Sequence, residues 1–160
     1  MAPTLREAFG ATPANIALLF TIFGLAGVCG NYVASKAVGK IGVDRAVLLA
    51  IASLIAGMGL FGLFFGNYIL ACCAGVVWGV GSFSSNSLQQ SRLVAVAPAL
   101  AGATVALNTS AVYLGQSVGA AAGGLVIQKG ITANIAWMAL VFLVLAAALS
   151  VTATRLAIRR

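Results

Sequence analysis

The sequence contains no histidine, and its only carboxylates are Glu7 and Asp44. A Ser-His-Asp triad cannot be assembled from this chain. A metal site of His, Asp and Glu lacks its ligands. Neither acid lies inside an apolar run, so no general base is in sight. A Ser-Lys dyad would have to use Lys36, Lys40 or Lys129, all at the edges of apolar runs. The chain therefore reads as no enzyme, with no metal and no cofactor. The three cysteines, Cys29, Cys72 and Cys73, all fall in apolar stretches. Adjacent Cys72 and Cys73 read as small buried side chains rather than a redox pair.

Charge is scarce throughout. Only 7% of the 160 residues are charged, where a soluble domain carries about 25%. Hydrophobic residues make up 62%. The net charge of +7 raises the question of nucleic acid. The basic residues are scattered between apolar runs, however, and a lipid bilayer is the partner this distribution fits. A membrane span needs roughly 20 mostly apolar residues. The uncharged runs hold five: about 15–33, 46–65, 68–87, 99–123 and 133–154. Lipid-embedded backbone must bond to itself, so these are helices in a single membrane domain over 1–160, all-α and integral to the membrane. The turns fall at Ala34 to Arg45, at Gly66-Asn67-Tyr68, at Gln89 to Arg92 closed by Pro98, and at Lys129-Gly130.

Lys36, Lys40, Arg45, Arg92, Arg155, Arg159 and Arg160 fall on one side of this arrangement, and only Arg6 and Lys129 on the other. Basic loops stay in the cytoplasm. The expectation is a cytoplasmic C-terminus and, with five spans, an external N-terminus. Met1 to Pro13 has no apolar signal region. The chain is accordingly expected to be a fragment, lacking an upstream span.

The spans differ in character. The second carries one polar side chain, Ser53, and the fifth none between Ile135 and Leu149 beyond the Trp137 indole. These two are expected to face lipid. The other three carry small or polar stripes: Gly24, Gly27, Gly30 and Asn31; Gly75, Gly79, Ser82 and Asn86; Thr109, Tyr113 and Gln116. Trp78, Ser82, Ser85 and Gln89 form an overlapping stripe on the third span. Gly115, Gly119 and Gly123 form a ladder suited to close helix packing. Asn108 and Gln116 lie far from either surface, where an unpaired amide is costly. They must bond a neighbouring helix or line a wet cavity. Asn108, Tyr113, Gln116, Ser82, Asn86 and Trp78 are the candidate cavity residues.

Gln90-Ser91-Arg92-Leu93-Val94, Ala97-Pro98, the run Leu107-Asn108-Thr109-Ser110-Ala111-Val112-Tyr113-Leu114-Gly115-Gln116, and Gly119 to Gly124 resemble the C-terminal half of major facilitator superfamily transporters. The group is that of the drug and sugar efflux antiporters, of the arabinose-efflux-permease type. Gly27 to Tyr32, followed by Lys36, Lys40, Gly42 and Arg45, is similar to the second copy of the family's basic loop motif. The resemblance covers about Pro13 to Arg160. It implies helices eight to twelve of twelve, most of a six-helix half-bundle, with Pro3-Thr4-Leu5 at the outer end of helix seven. It also implies that Gly30, Asn31, Lys36, Gly42 and Arg45 belong to a cytoplasmic gate. The family's loop carries an acid near its middle. Here Gly39 stands there and Asp44 comes five residues later, which puts the motif's charge relay in doubt.

These observations lead to a transmembrane transporter of the bacterial inner membrane. The chain would be the C-terminal part of a proton-coupled efflux antiporter for a small molecule, a drug, sugar or metabolite. Its further partner would be the missing N-terminal transporter half. The five spans hold no ionisable residue of the kind that carries protons, so that group would lie in the missing half. The rival reading is a small non-transporting membrane protein: an oligomer, an accessory subunit or the product of a decayed gene.

Overall fold

The computed structural model describes residues 5, 6 and 9–158. Pro3, Thr4, Glu7, Arg159 and Arg160 lie outside the described residues. Among the described residues, five helices are long and apolar enough to cross a bilayer. They are α1 (Pro13–Ile41), α2 (Val43–Leu63), α3 (Tyr68–Val96), α4 (Ala101–Gln128) and α5 (Ile135–Ile158). Short 3₁₀ turns, Pro98–Leu100 and Thr132–Asn134, lead into α4 and α5.

The helix ends follow from local chemistry. The Thr12 side chain accepts from the Asn15 N–H at 3.2 Å, and Pro13 opens α1, where a missing N–H costs nothing. Asn67 caps α3 in the same way, accepting from Leu70 N–H at 3.1 Å. Gly42 alone separates α1 from α2, with φ +81°, a conformation that a side chain disfavours. The structure therefore differs from the sequence reading at both basic connections. Ala34 to Ile41 and Gln89 to Val96 are helical. Hydropathy marks where a helix leaves hydrocarbon. The helix itself continues until a breaker, Gly42 or Pro98, stops it.

α3 is the hub. It packs along both α1 and α2, and α5 rests on α2. The interfaces are close because glycines sit in them. A Cβ added at Gly81 would stand 2.7 Å from the Ala50 carbonyl oxygen, and one at Gly30 would stand 2.6 Å from Val80 Cα. One apolar cluster, Ala46, Val47, Ala50, Ile51 and Leu88, fills the α2–α3 contact near the basic end. A second, Leu5, Ala11, Leu19 and Ala71, lies towards the opposite end. Ser53 donates across helices to the Val77 carbonyl at 2.6 Å.

The expected division between lipid-facing and packed helices is corrected. α2 is among the two most apolar helices yet buries Ala46, Val47, Ala50, Ile51, Gly57 and Met58. α4, with its polar stripe and glycine ladder, buries no residue. Nothing lies within 4 Å of a Cβ built at Gly115, Gly119 or Gly123. Lipid tails and an apolar helix face are equivalent environments, so low polarity did not distinguish them. α5 does expose Val141, Phe142, Val144 and Leu145. Cys73 is also exposed rather than buried, and Cys72 is half-buried.

The glycine contacts give a matched pair of substitutions. Gly81→Ala should destabilise the protein in micelles by about 1–3 kcal/mol through overpacking. Gly119→Ala should be neutral or stabilise by up to about 1 kcal/mol through helix propensity. Denaturant unfolding of both variants checks this. Equal losses would contradict the assigned packing.

Candidate functional site

Three successive turns of α3 carry Ser82, Ser85, Asn86 and Gln89. Spacings of three and four place them along one side of the helix. α4 runs opposite and presents Asn108, Val112 and Gln116 at intervals of four. Between them lies an open cavity of about 550 Å³, bordered also by Asn31 of α1, Ile51 and Leu54 of α2, and Leu143 and Ala146 of α5. Asn108 Nδ2 donates to Asn86 Oδ1 at 3.3 Å, a side-chain bond joining α3 to α4.

The hydroxyls nearby behave differently from the amides. Ser85 donates to the Ser82 carbonyl at 3.1 Å, and Thr109 to the Val105 carbonyl at 3.0 Å. Ser and Thr can satisfy themselves on the preceding turn. Asn and Gln cannot do this with both ends of the amide.

Of the candidate cavity residues, Ser82, Asn86, Asn108 and Gln116 line this space, and Trp78 and Tyr113 do not. Trp78 packs over Gly57, with its ring centroid 4.8 Å from that of Phe23. Tyr113 is 65% exposed; five residues from Asn108, it projects from another side of α4. Sequence reasoning did not assign Gln89 or Ser85 to the cavity, although both were on the α3 stripe. The expected gate residues separate. Gly30 packs against Val80 of α3, Asn31 faces the cavity, and Gly42 makes the helix break. Lys36 lies over the Tyr32 ring at 5.8 Å, and Arg45 is exposed.

One turn beyond Gln89, Arg92 forms a clasp that sequence reading missed. Its side chain is 12% exposed, and Nε lies 3.0 Å from Asp44 Oδ1. Nη1 donates to Ser150 Oγ at 3.0 Å. Nη2 donates to Thr154 Oγ1 at 2.8 Å and to the Ser150 carbonyl at 3.3 Å. The Thr154 hydroxyl lies 3.3 Å from Asp44 Oδ1. The planar guanidinium thus ties the start of α2 and the end of α5 to α3. Asp44 also sits in the first turn of α2, where the helix dipole favours a carboxylate. A second cavity, about 610 Å³, adjoins the clasp and shares Gln89 and Ala146 with the first.

The sequence profile of the Major Facilitator Superfamily matches residues 1–158. The chain belongs to this superfamily of transporters. It is 29% identical over 133 residues to the inner membrane transport protein YdhP of Escherichia coli K12, a match covering 82% of this chain and 33% of that relative. It is 24% identical over 138 residues to the uncharacterized MFS-type transporter YbcL of Bacillus subtilis, covering 86% of this chain and 35% of the relative. The chain thus spans about a third of the length of these relatives. No solved structure gives a match.

The clasp predicts unequal effects. Arg92→Ala should cost about 2–3 kcal/mol, because buried Ser150 and Asp44 lose a charged donor. Arg92→Lys should recover little, since an ammonium cannot span the four acceptors that surround the guanidinium. Asp44→Asn should cost under about 1 kcal/mol, as Asp44 is half exposed. Denaturant unfolding of the three variants reads this order; wild-type stability in Arg92→Lys would contradict it.

Proposed function

We propose that the chain is the C-terminal part, helices eight to twelve, of a proton-coupled exporter of small molecules. The supporting observation is the amide-lined cavity between α3 and α4 in a chain of this superfamily. In alternating access, two halves rock around a site near the bilayer midplane. Asn86, Asn108 and Gln116 would supply hydrogen bonds to a solute there. Arg92 would hold α2, α3 and α5 together while α4, joined to α3 by one amide pair, adjusts around the solute.

The orientation follows from Lys36, Lys40, Arg45 and Arg92, which all lie near the same end of the bundle. That end would face the cytoplasm. The membrane would be a bacterial inner membrane, as for the E. coli relative. The proton carrier would belong to the remainder of the transporter, since no ionisable group among the described residues lines the cavity. The open glycine face of α4 would pack there too. The same face also suits self-association, which is the basis of the non-transporting reading.

The test is a split-transporter reconstitution. This chain is co-inserted with the part of the E. coli relative outside the matched residues, in inside-out vesicles. Protonophore-sensitive uptake of a labelled solute mixture is expected from the pair and not from this chain alone. Equal uptake by the chain alone, or none by the pair, would contradict the proposal.

A further inference from the structure

The cavity wall is electrically neutral, and this limits what it can hold. Its polar groups are the amides of Asn31, Asn86, Gln89, Asn108 and Gln116, with serine hydroxyls beside them. No Lys, Arg, Asp or Glu of the described residues lines it. The nearest charge, Arg92, is engaged by Asp44, Ser150 and Thr154. Its field at the cavity is opposed by the carboxylate beside it. Phe83 is the one aromatic ring in the lining. It stacks near Phe23, at a centroid distance of 5.6 Å, and lies over Gly27. The wall therefore offers no aromatic cage for a cation.

What it does offer is paired donors and acceptors. The Asn86–Asn108 bond uses one N–H and one carbonyl lone pair. Whichever way the two amides are turned, both a donor and an acceptor remain on the pair. Gln89 and Gln116 make no side-chain hydrogen bond with the described residues, so each adds a complete amide. A charged solute entering this space would give up hydration without meeting a counter-charge. A neutral solute with neighbouring hydroxyl or amide groups would exchange water for matched hydrogen bonds.

Resting on the transport reading above, we propose that this wall selects uncharged solutes carrying adjacent hydroxyl or amide groups and rejects charged analogues of the same shape. Gln116 and the Asn86–Asn108 pair are its recognition groups.

A matched series isolates charge from shape. Glucose is neutral, glucosamine is a cation at about pH 6, and glucuronate is an anion, all three built on one pyranose ring. Each presents a run of hydroxyls. Binding to the purified 160-residue protein in nanodiscs is measured by equilibrium dialysis with labelled probes. Glucose should bind at least about tenfold more tightly than either charged probe. Gln116→Glu leaves the amide pair intact and should bring glucosamine to parity or better. Gln116→Ser, neutral and smaller, should weaken binding without favouring glucosamine, and Leu114→Ala, on the exposed side of α4 and outside the cavity lining, should bind as the wild type does and so controls for folding.

Wild-type protein that binds glucosamine or glucuronate as tightly as glucose would overturn the selection rule and leave the transport reading standing. An unchanged order in Gln116→Glu would remove Gln116 from the recognition site. Failure of all three probes would overturn the wall as a site for neutral hydroxylated solutes, while the transport reading stands or falls on the split-transporter reconstitution.

Discussion

A polar group in hydrocarbon must find its partner inside the protein, and that constraint sorts every polar side chain in this chain. Most hydroxyls turn back onto their own helix, as Thr21 does on Ala17 and Ser117 on Tyr113. A few reach across: Ser53 to Val77, Tyr68 to the Asn15 carbonyl at 2.7 Å, and Arg92 to Asp44, Ser150 and Thr154. These crossing bonds hold α1, α2, α3 and α5 in one bundle. What remains is a set of amides around the α3–α4 cavity, of which only Asn86 and Asn108 bond each other across helices. Their position reflects where the protein tolerates water or a solute, because unpaired amides are expensive anywhere else.

The same reasoning explains what could be read from the sequence. The number of spans and their helical state follow from uncharged run lengths, and the turn at Gly66-Asn67 and the break before Pro98 follow from residue types. Asn108 and Gln116 stood out because amides deep in apolar runs need an explanation. Three features resisted. The length of α1 was hidden because Lys36 and Lys40 mark the membrane edge while Gly42 ends the helix. The burial of α2 was hidden because an apolar face suits lipid and a helix neighbour equally. The Arg92 clasp was hidden because Asp44, Arg92 and Ser150 are far apart in sequence and no periodicity relates them. In sequence Arg92 counted only as a topological charge. In the fold it is the most heavily bonded side chain among the described residues.

Family membership gives these details a common purpose. In transporters of the superfamily, rigid packing and freedom to move must coexist in adjacent helices. Here close glycine contacts and the clasp favour rigidity in four helices. α4 buries nothing and is linked to α3 through the Asn86–Asn108 pair. The chain covers about a third of its relatives' length, and the glycine face of α4 meets no neighbouring side chain.

The central claim is that the α3–α4 space is wet in the membrane. The direct measurement replaces Cys29, Cys72 and Cys73, introduces Gln116→Cys, and follows its reaction with a charged, membrane-impermeant maleimide in proteoliposomes. Val144→Cys, on the exposed apolar face of α5, is the lipid control. Rapid labelling at Gln116→Cys with an inert Val144→Cys is the result expected of an aqueous cavity. Equal inertness at both positions would show that the amides serve helix packing in a dry bundle, and the account of this protein as a transporter wall would fail.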